Sequence, residues 1–312
     1  MIESRMIPIP AAGDGPSEVP VTTIRGAAPG PVLALIAGNH GYEYPPILAL
    51  QRLRAELDPA ALAGTAILVH VANMPSFLGR TVYFSPVDGK NLNRVYPGRA
   101  DGTVSERIAH AITAEVIERA DYVLDLHCGD GNEWLRPYVY QAVTADERIN
   151  RENQRLALAF GIDHILLDRN RPTDPARSLY CSTTAITRGK PALVVESGAL
   201  GQTDEESVRR IVEGVRGVMH EFGMIAEGPA PVKDPVYLDP AEVVVSPATG
   251  ILYPMVERDQ HVARGQLLAR ITDFFGETIA ELASPLDGIV LYIVATPPMT
   301  KGQPVACVGR PR

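Results

Sequence analysis

Val32-Leu33-Ala34-Leu35-Ile36-Ala37-Gly38-Asn39-His40-Gly41-Tyr42-Glu43 decides how this chain is read. Its first six residues form an unbroken apolar run, the pattern of a strand buried on both faces. His40 and Glu43 follow where such a strand runs out into a loop. Two more runs end in the same way, Leu124-Asp125-Leu126 on His127 and Leu193-Val194-Val195 on Glu196. Two His and one carboxylate are the protein ligand set of a catalytic zinc that keeps a position for water. A further carboxylate is what such a centre needs as a proton shuttle. The pattern specifies a reaction class, metal-assisted hydrolysis.

Working outward, β-branched apolar runs recur at 32–37, 66–71, 121–126, 137–141, 164–167 and 191–196. Stretches with helical spacing separate them at 45–57, 104–119, 148–160 and 203–222. This alternation predicts an α/β domain, a mixed sheet flanked by helices. Ligands bind such sheets at the carboxyl ends of the strands, where His40, His127 and Glu196 all fall. Pro45 and Pro46 suit a helix start, where a missing amide donor costs little. Ser105-Glu106 and Thr203-Asp204-Glu205-Glu206 offer caps and first-turn acids. Gly223 offers a C-terminal stop.

The composition changes near residue 227. Residues 1–228 read as a hydrolase-like catalytic domain, 229–242 as a Pro-rich linker, and 243–312 as a small all-β barrel or sandwich. Ser246-Pro-x-x-Gly250 and Ser284-Pro-x-x-Gly288 form a weak internal repeat. The tail resembles biotinyl or lipoyl barrels, but its second repeat lacks the lysine of a carrier hairpin. The expected role is a cap over the site mouth or an oligomer contact, which allows a homo-oligomer.

The 312 residues are 46% hydrophobic and 21% charged, with a net charge of −8. An acidic balance argues against nucleic acid, because phosphate binding needs clustered Lys and Arg. No apolar run reaches the roughly 20 residues that cross a bilayer, so no membrane partner is expected. The N-terminus lacks the pattern of a signal peptide, and the expected location is cytoplasmic. Cys128, Cys181 and Cys307 are too few and too scattered for a disulfide framework. Cys128 reads as a small residue filling space beside His127. His70, His110, His164, His220 and His261 have no partner at ligand spacing and are set aside.

Asp88-Gly89 predicts a turn, beyond which Asn91-Leu92-Asn93-Arg94 presents an Arg fork suited to a carboxylate. Asp125 precedes His127 by two residues and can hold its ring as a hydrogen-bond acceptor. Taken in order, Gly38-Asn39-His40-Gly41-x-Glu43, Asp88-Gly89-Lys90-Asn91-Leu92-Asn93-Arg94-Val95-Tyr96-Pro97-Gly98, Asp125-Leu126-His127 and Val195-Glu196-Ser197-Gly198 resemble the succinylglutamate desuccinylase/aspartoacylase family of the zinc carboxypeptidase superfamily. The resemblance covers about residues 30–225 and extends to the β-rich tail.

This resemblance implies one Zn2+ held by His40, Glu43 and His127, with Glu196 as general base. It implies that Asn93 and Arg94 bind a substrate carboxylate, and that an upstream Arg polarises the scissile carbonyl. Arg80 is the nearest candidate for that Arg. The activity expected is hydrolysis of the amide of an N-acyl amino acid or related N-acyl amine. Two alternatives stand beside it: a metallocarboxypeptidase on short peptides, and a catalytically silent small-molecule binding protein of the same fold. The Arg-rich stretch 168–178 reads equally as a pocket wall or a solvated loop.

Overall fold

The computed structural model describes residues 1–312. In chain order it has strands β1 (Ile2–Ile9), β2 (Ser17–Arg25) and β3 (Ala28–Ala37), helix α1 (Tyr44–Glu56), β4 (Ala63–Val69), α2 (Met74–Gly79), α3 (Val104–Glu115), β5 (Tyr122–Gly129), β6 (Glu133–Leu135), β7 (Tyr138–Ala142), α4 (Glu147–Phe160), β8 (His164–Asp168), α5 (Cys181–Ile186), β9 (Ala192–Ala199) and α6 (Glu205–Glu221). The C-terminal part adds β10 (Val236–Val245), β11 (Gly250–Pro254), β12 (His261–Val262), β13 (Leu267–Thr272), β14 (Thr278–Ala283), β15 (Gly288–Val294), β16 (Pro298–Met299) and β17 (Pro304–Pro311).

The parallel centre is β4-β3-β5-β9. Its strands are apolar on both faces because helices cover both. Leu33, Leu35 and Ala37 point to one side, where Leu50 and Leu53 of α1, Phe160 of α4 and Val215 of α6 complete a core. Ala34 and Ile36 point to the other side and pack with Ile108 and Ile112 of α3 and Ala185 of α5. This period of two is the signature of a strand. β3 lies between β4, which follows it in the chain, and β5 on its other side. Chain order reverses there, which opens a crevice at the carboxyl ends of β3 and β5.

The helix signals act largely as the sequence suggests. Pro45 and Pro46 open α1. The cap of α3 is Thr103 rather than Ser105, and the Glu106 carboxylate accepts the Thr103 N–H at 2.8 Å. Asp204 caps α6 by accepting the Ser207 N–H at 2.9 Å. Gly223, at φ 68°, follows that helix.

Three features were not legible as periodicity. The β1–β2 hairpin extends the sheet through β4. Helices α2 and α5 are each only 6 residues long. The third concerns the stretch 229–242: from Val236 it is strand β10, parallel to β8 and antiparallel to β17. Val236 and Leu238 pack against Leu166, Leu291 and Tyr292, so this segment is part of the sheet instead of a free connector. The main sheet thereby continues into the tail and reaches 13 strands.

A second, antiparallel sheet, β14-β13-β11-β16, completes the all-β C-terminal part. The two Ser-Pro-x-x-Gly segments adopt matching turns. Ser246 Oγ donates to Ala248 O and Ser284 Oγ donates to Leu286 O. The Ser246 N–H donates to Gln303 O and the Ser284 N–H to Gln266 O, so the repeat is structural as well as sequential. No helix in the chain is long and apolar enough to cross a membrane.

Leu35 is fully buried in the core beneath α1. Leu35→Ala should lower stability by about 3 kcal/mol, the typical sum of lost transfer energy and cavity. Urea unfolding should show a lower midpoint at unchanged slope. A loss below about 1 kcal/mol would place this strand outside the cooperative core.

Candidate metal centre and cavity

The β3–α1 connection is shaped by two glycines. Gly38 has φ 73°, a left-handed conformation that favours glycine. Any Cβ on Gly41 would lie 2.3 Å from Thr81 O and 2.4 Å from Ser76 O. The loop after α2 therefore packs directly on this turn. The turn delivers His40 and Glu43 to the crevice, with Glu43 at the N-cap position of α1. His127 arrives from the end of β5, and Glu196 is its register partner on β9. Asp125, His127, Val194 and Glu196 share one face of the sheet because their strands alternate.

Donor atoms of His40, Glu43 and His127 lie within 4.8 Å of one another, and all three residues are buried. Glu43 is 1% exposed. Its Oε1 sits 2.8 Å from His40 Nδ1 and 2.9 Å from His127 Nδ1. The opposite ring nitrogens are tied back: His127 Nε2 meets Asp125 Oδ1 at 2.9 Å, and His40 Nε2 meets Asn91 Oδ1 at 3.1 Å. Both acceptors place a proton on Nε2 and leave the Nδ1 lone pairs converging beside Glu43. That is the arrangement of His ligands held by outer acceptors, and it fits a divalent metal.

Asp125 is itself fully buried and also accepts from Asn39 Nδ2 at 2.9 Å and the Ser182 N–H at 3.2 Å. It is therefore locked while it holds the ring.

The electrostatics agree. Burial alone would lower both His, but the Glu43 carboxylate outweighs it and raises His40. His127 is raised further because Asp125 adds to Glu43. Burial pushes Glu43 up, yet the two rings pull it below the ordinary carboxylate range. Burial raises Glu196 well above its ordinary value, with His127 only partly offsetting it.

These residues open onto a cavity of about 480 Å³. Asn93, Arg94, Cys128 and Glu196 line it. Arg94 donates to Asn93 O at 2.7 Å and lies over the Tyr180 ring, 4.7 Å from its centroid. Asn93 Oδ1 accepts the Cys181 N–H at 2.8 Å, and its Nδ2 lies 3.2 Å from His127 Nε2, which already donates to Asp125. Asn93 lines the cavity, and its NH2 donors remain available to a ligand. Arg80 does not join the site. It caps α2 in a left-handed conformation (φ 51°), is exposed, and is absent from the cavity wall. The 168–178 stretch supplies a wall instead: Asp168, Asn170 and Arg171 line the cavity, and Arg171 pairs with Asp168 and lies over the other Tyr180 contact at 4.9 Å.

Sequence reasoning missed Tyr83, Asp130, Glu133, Tyr138, Tyr140 and Tyr292, which all line the cavity. Tyr292 belongs to β15, so the C-terminal part forms one wall. The only sequence signal was acidic residues shortly after His127; strand pairing across 150 residues of chain carries none.

The catalytic-domain model of succinylglutamate desuccinylase/aspartoacylase matches residues 29–222. The chain is 32% identical over 302 residues to an N-alpha-acetyl-L-2,4-diaminobutyric acid deacetylase of Halomonas elongata, covering 93% of this chain and 86% of the relative. Among solved structures it resembles a product-bound ectoine utilization protein from Ruegeria pomeroyi, with 26% identity, a TM-score of 0.87, and 99% and 95% coverage. It also resembles a succinylglutamate desuccinylase/aspartoacylase from Rhodobacter sphaeroides, with 25% identity, a TM-score of 0.86, and 100% and 95% coverage.

Asp125→Asn should weaken binding of added zinc by about 10–100-fold, the usual effect of removing an acceptor behind a ligand His. Competition with a chromogenic chelator measures this. Unchanged affinity would mean that Asp125 does not orient the ring.

Proposed function

The chain belongs to the succinylglutamate desuccinylase/aspartoacylase family, and we propose that it is a zinc-dependent deacylase that hydrolyses the amide of a small N-acyl amino acid. One observation carries this reading: three convergent donors, an unpaired Arg and a buried carboxylate share one cavity. The Halomonas relative makes the acetyl group the first acyl group to test, and N-alpha-acetyl-L-2,4-diaminobutyrate the first substrate.

When bound, zinc supplies Lewis acidity that makes a water acidic near neutral pH and polarises an acyl carbonyl. His40, Glu43 and His127 would hold it. Glu196 takes the proton of the attacking water and returns it to the leaving nitrogen. Burial raises its pKa above the ordinary carboxylate value, which favours its holding the proton between the two transfers. Arg94 holds the substrate carboxylate through its guanidinium fork, and the Tyr180 ring beneath it orients the guanidinium. Asn93, fixed by the Cys181 N–H on its Oδ1, offers its NH2 to the same carboxylate. Tyr292 and Pro304 of the C-terminal part complete the cavity wall.

Two outcomes test these roles. Glu196→Gln should lower kcat by about 100-fold or more while zinc content stays at one per chain, because general-base catalysis contributes on the order of 10²–10⁴. A near-normal rate would remove Glu196 from proton transfer. Arg94→Lys keeps the charge but loses the fork, so KM for N-acetyl amino acids should rise about tenfold or more in steady-state assays, with a smaller change in kcat. Equal KM in both proteins would mean that the carboxylate is bound elsewhere.

A further inference from the structure

The acids that line the cavity differ in how they are satisfied. Glu43 lies between the two His rings. Asp130 is saturated by backbone donors, accepting from Gly131 at 2.9 Å and from Tyr42 and Tyr83 at 3.2 Å each. Asp168 pairs with Arg171. Glu196 faces the metal centre across the β5–β9 register. Glu133 remains. The only hydrogen bond to its carboxylate comes from the Tyr83 hydroxyl, at 2.5 Å to Oε1, and no cation of the protein pairs with it.

Glu133 is also held firmly. It lies on β6, paired through Val294 to β15. Tyr83, at φ 62°, is pinned by its N–H on Asp130 and by its hydroxyl on Glu133 and Asn132. Glu133 thus lines the cavity from a firmly held strand. Burial pushes this carboxyl up to about 7, as expected of a carboxylate that lacks a counter-charge.

Arg94 is the complementary case. It lines the same cavity and no carboxylate pairs with it. Apart from Glu196, which faces the three convergent donors, the cavity keeps Arg94 and Glu133 without a charged partner and so fits a ligand bearing both opposite charges, because each pairing relieves a desolvated charge.

Resting on the deacylase reading, we propose that Glu133 is a specificity-determining residue that binds a free ammonium group of the substrate. The substrate class is then an N-acyl amino acid with a second, cationic amine, its carboxylate on Arg94 and its ammonium on Glu133. Tyr83 is the positioning residue that aims the carboxylate. A neutral side chain of the same size would bury Glu133 without a partner and bind more weakly. An anionic side chain would be repelled.

The test compares the zinc-loaded full-length protein with Glu133→Gln and Glu133→Asp. The substrates are N-alpha-acetyl-L-2,4-diaminobutyrate and N-acetyl-L-norvaline, in which a methyl replaces the ammonium. The wild type should favour the diamino substrate by on the order of 100-fold in kcat/KM, the scale of one charged hydrogen bond. That ratio should fall towards one in Glu133→Gln, mainly through KM, and should be partly kept in Glu133→Asp. A wild-type ratio near one, or the same ratio in Glu133→Gln, overturns the assignment.

If the wild type hydrolyses neither substrate nor other N-acyl amino acids, the deacylase reading fails, and calorimetry with the free amino acids judges Glu133 separately. Binding of L-2,4-diaminobutyrate at least tenfold tighter than L-norvaline, lost in Glu133→Gln, supports it. Equal binding overturns it.

Discussion

A carboxylate that is 1% exposed, Glu43 between two imidazoles, is the constraint around which this protein is arranged. An isolated buried carboxylate is expensive, and it survives only when paired and hydrogen-bonded. Its partners come from different places: His40 from the same turn and His127 from a strand 84 residues on. Gly38 and Gly41 let the turn form, Asp125 fixes one ring and Asn91 the other. Removing any of these leaves a buried charge short of a partner. The β3–β5 crevice is thus held by electrostatic necessity as well as by the cores on either side of the sheet.

Charge is distributed unevenly around that centre. The wall from the 168–178 stretch is neutralised internally, Asp168 by Arg171, and the Tyr180 ring beside it lies between the Arg94 and Arg171 guanidiniums. The floor from the β5–β6 turn carries carboxylates, one saturated by backbone and one not. Such asymmetry matters for recognition, because a small polar ligand is oriented by the few groups left unsatisfied rather than by contact area.

The C-terminal part is bound to the catalytic part by continuous hydrogen bonding. β10 joins β8 to β17, and β15 pairs with β6, whose first residue is Glu133. The wall carrying Tyr292 is therefore part of the same sheet system as the metal centre. Site and tail are coupled by backbone ladders, which leave little freedom for independent movement.

Strand ends and helix spans between residues 32 and 222 were legible in the sequence because each depends on local periodicity: a run buried on both faces must be apolar throughout, and a helix repeats at 3.6. The convergence of His40, Glu43 and His127 in one buried group was legible for a related reason. Polar groups that interrupt or end buried apolar runs, such as Asp125, His127 and Glu196, need a purpose to offset their burial. The β1–β2 hairpin, α2, α5 and β10 were not legible, being short, edge-placed or Pro-interrupted. The exclusion of Arg80 and the inclusion of Glu133, Tyr83 and Arg171 were decided only in three dimensions. Whether a polar side chain faces solvent or a cavity depends on which distant strand packs beside it, and Val294 opposite Glu133, some 160 positions away, leaves no local trace. The sequence by itself singled out the strand-end His and Glu that converge on one cavity; tertiary packing decided the walls of the cavity, because walls are made by contacts between segments that know nothing of each other along the chain.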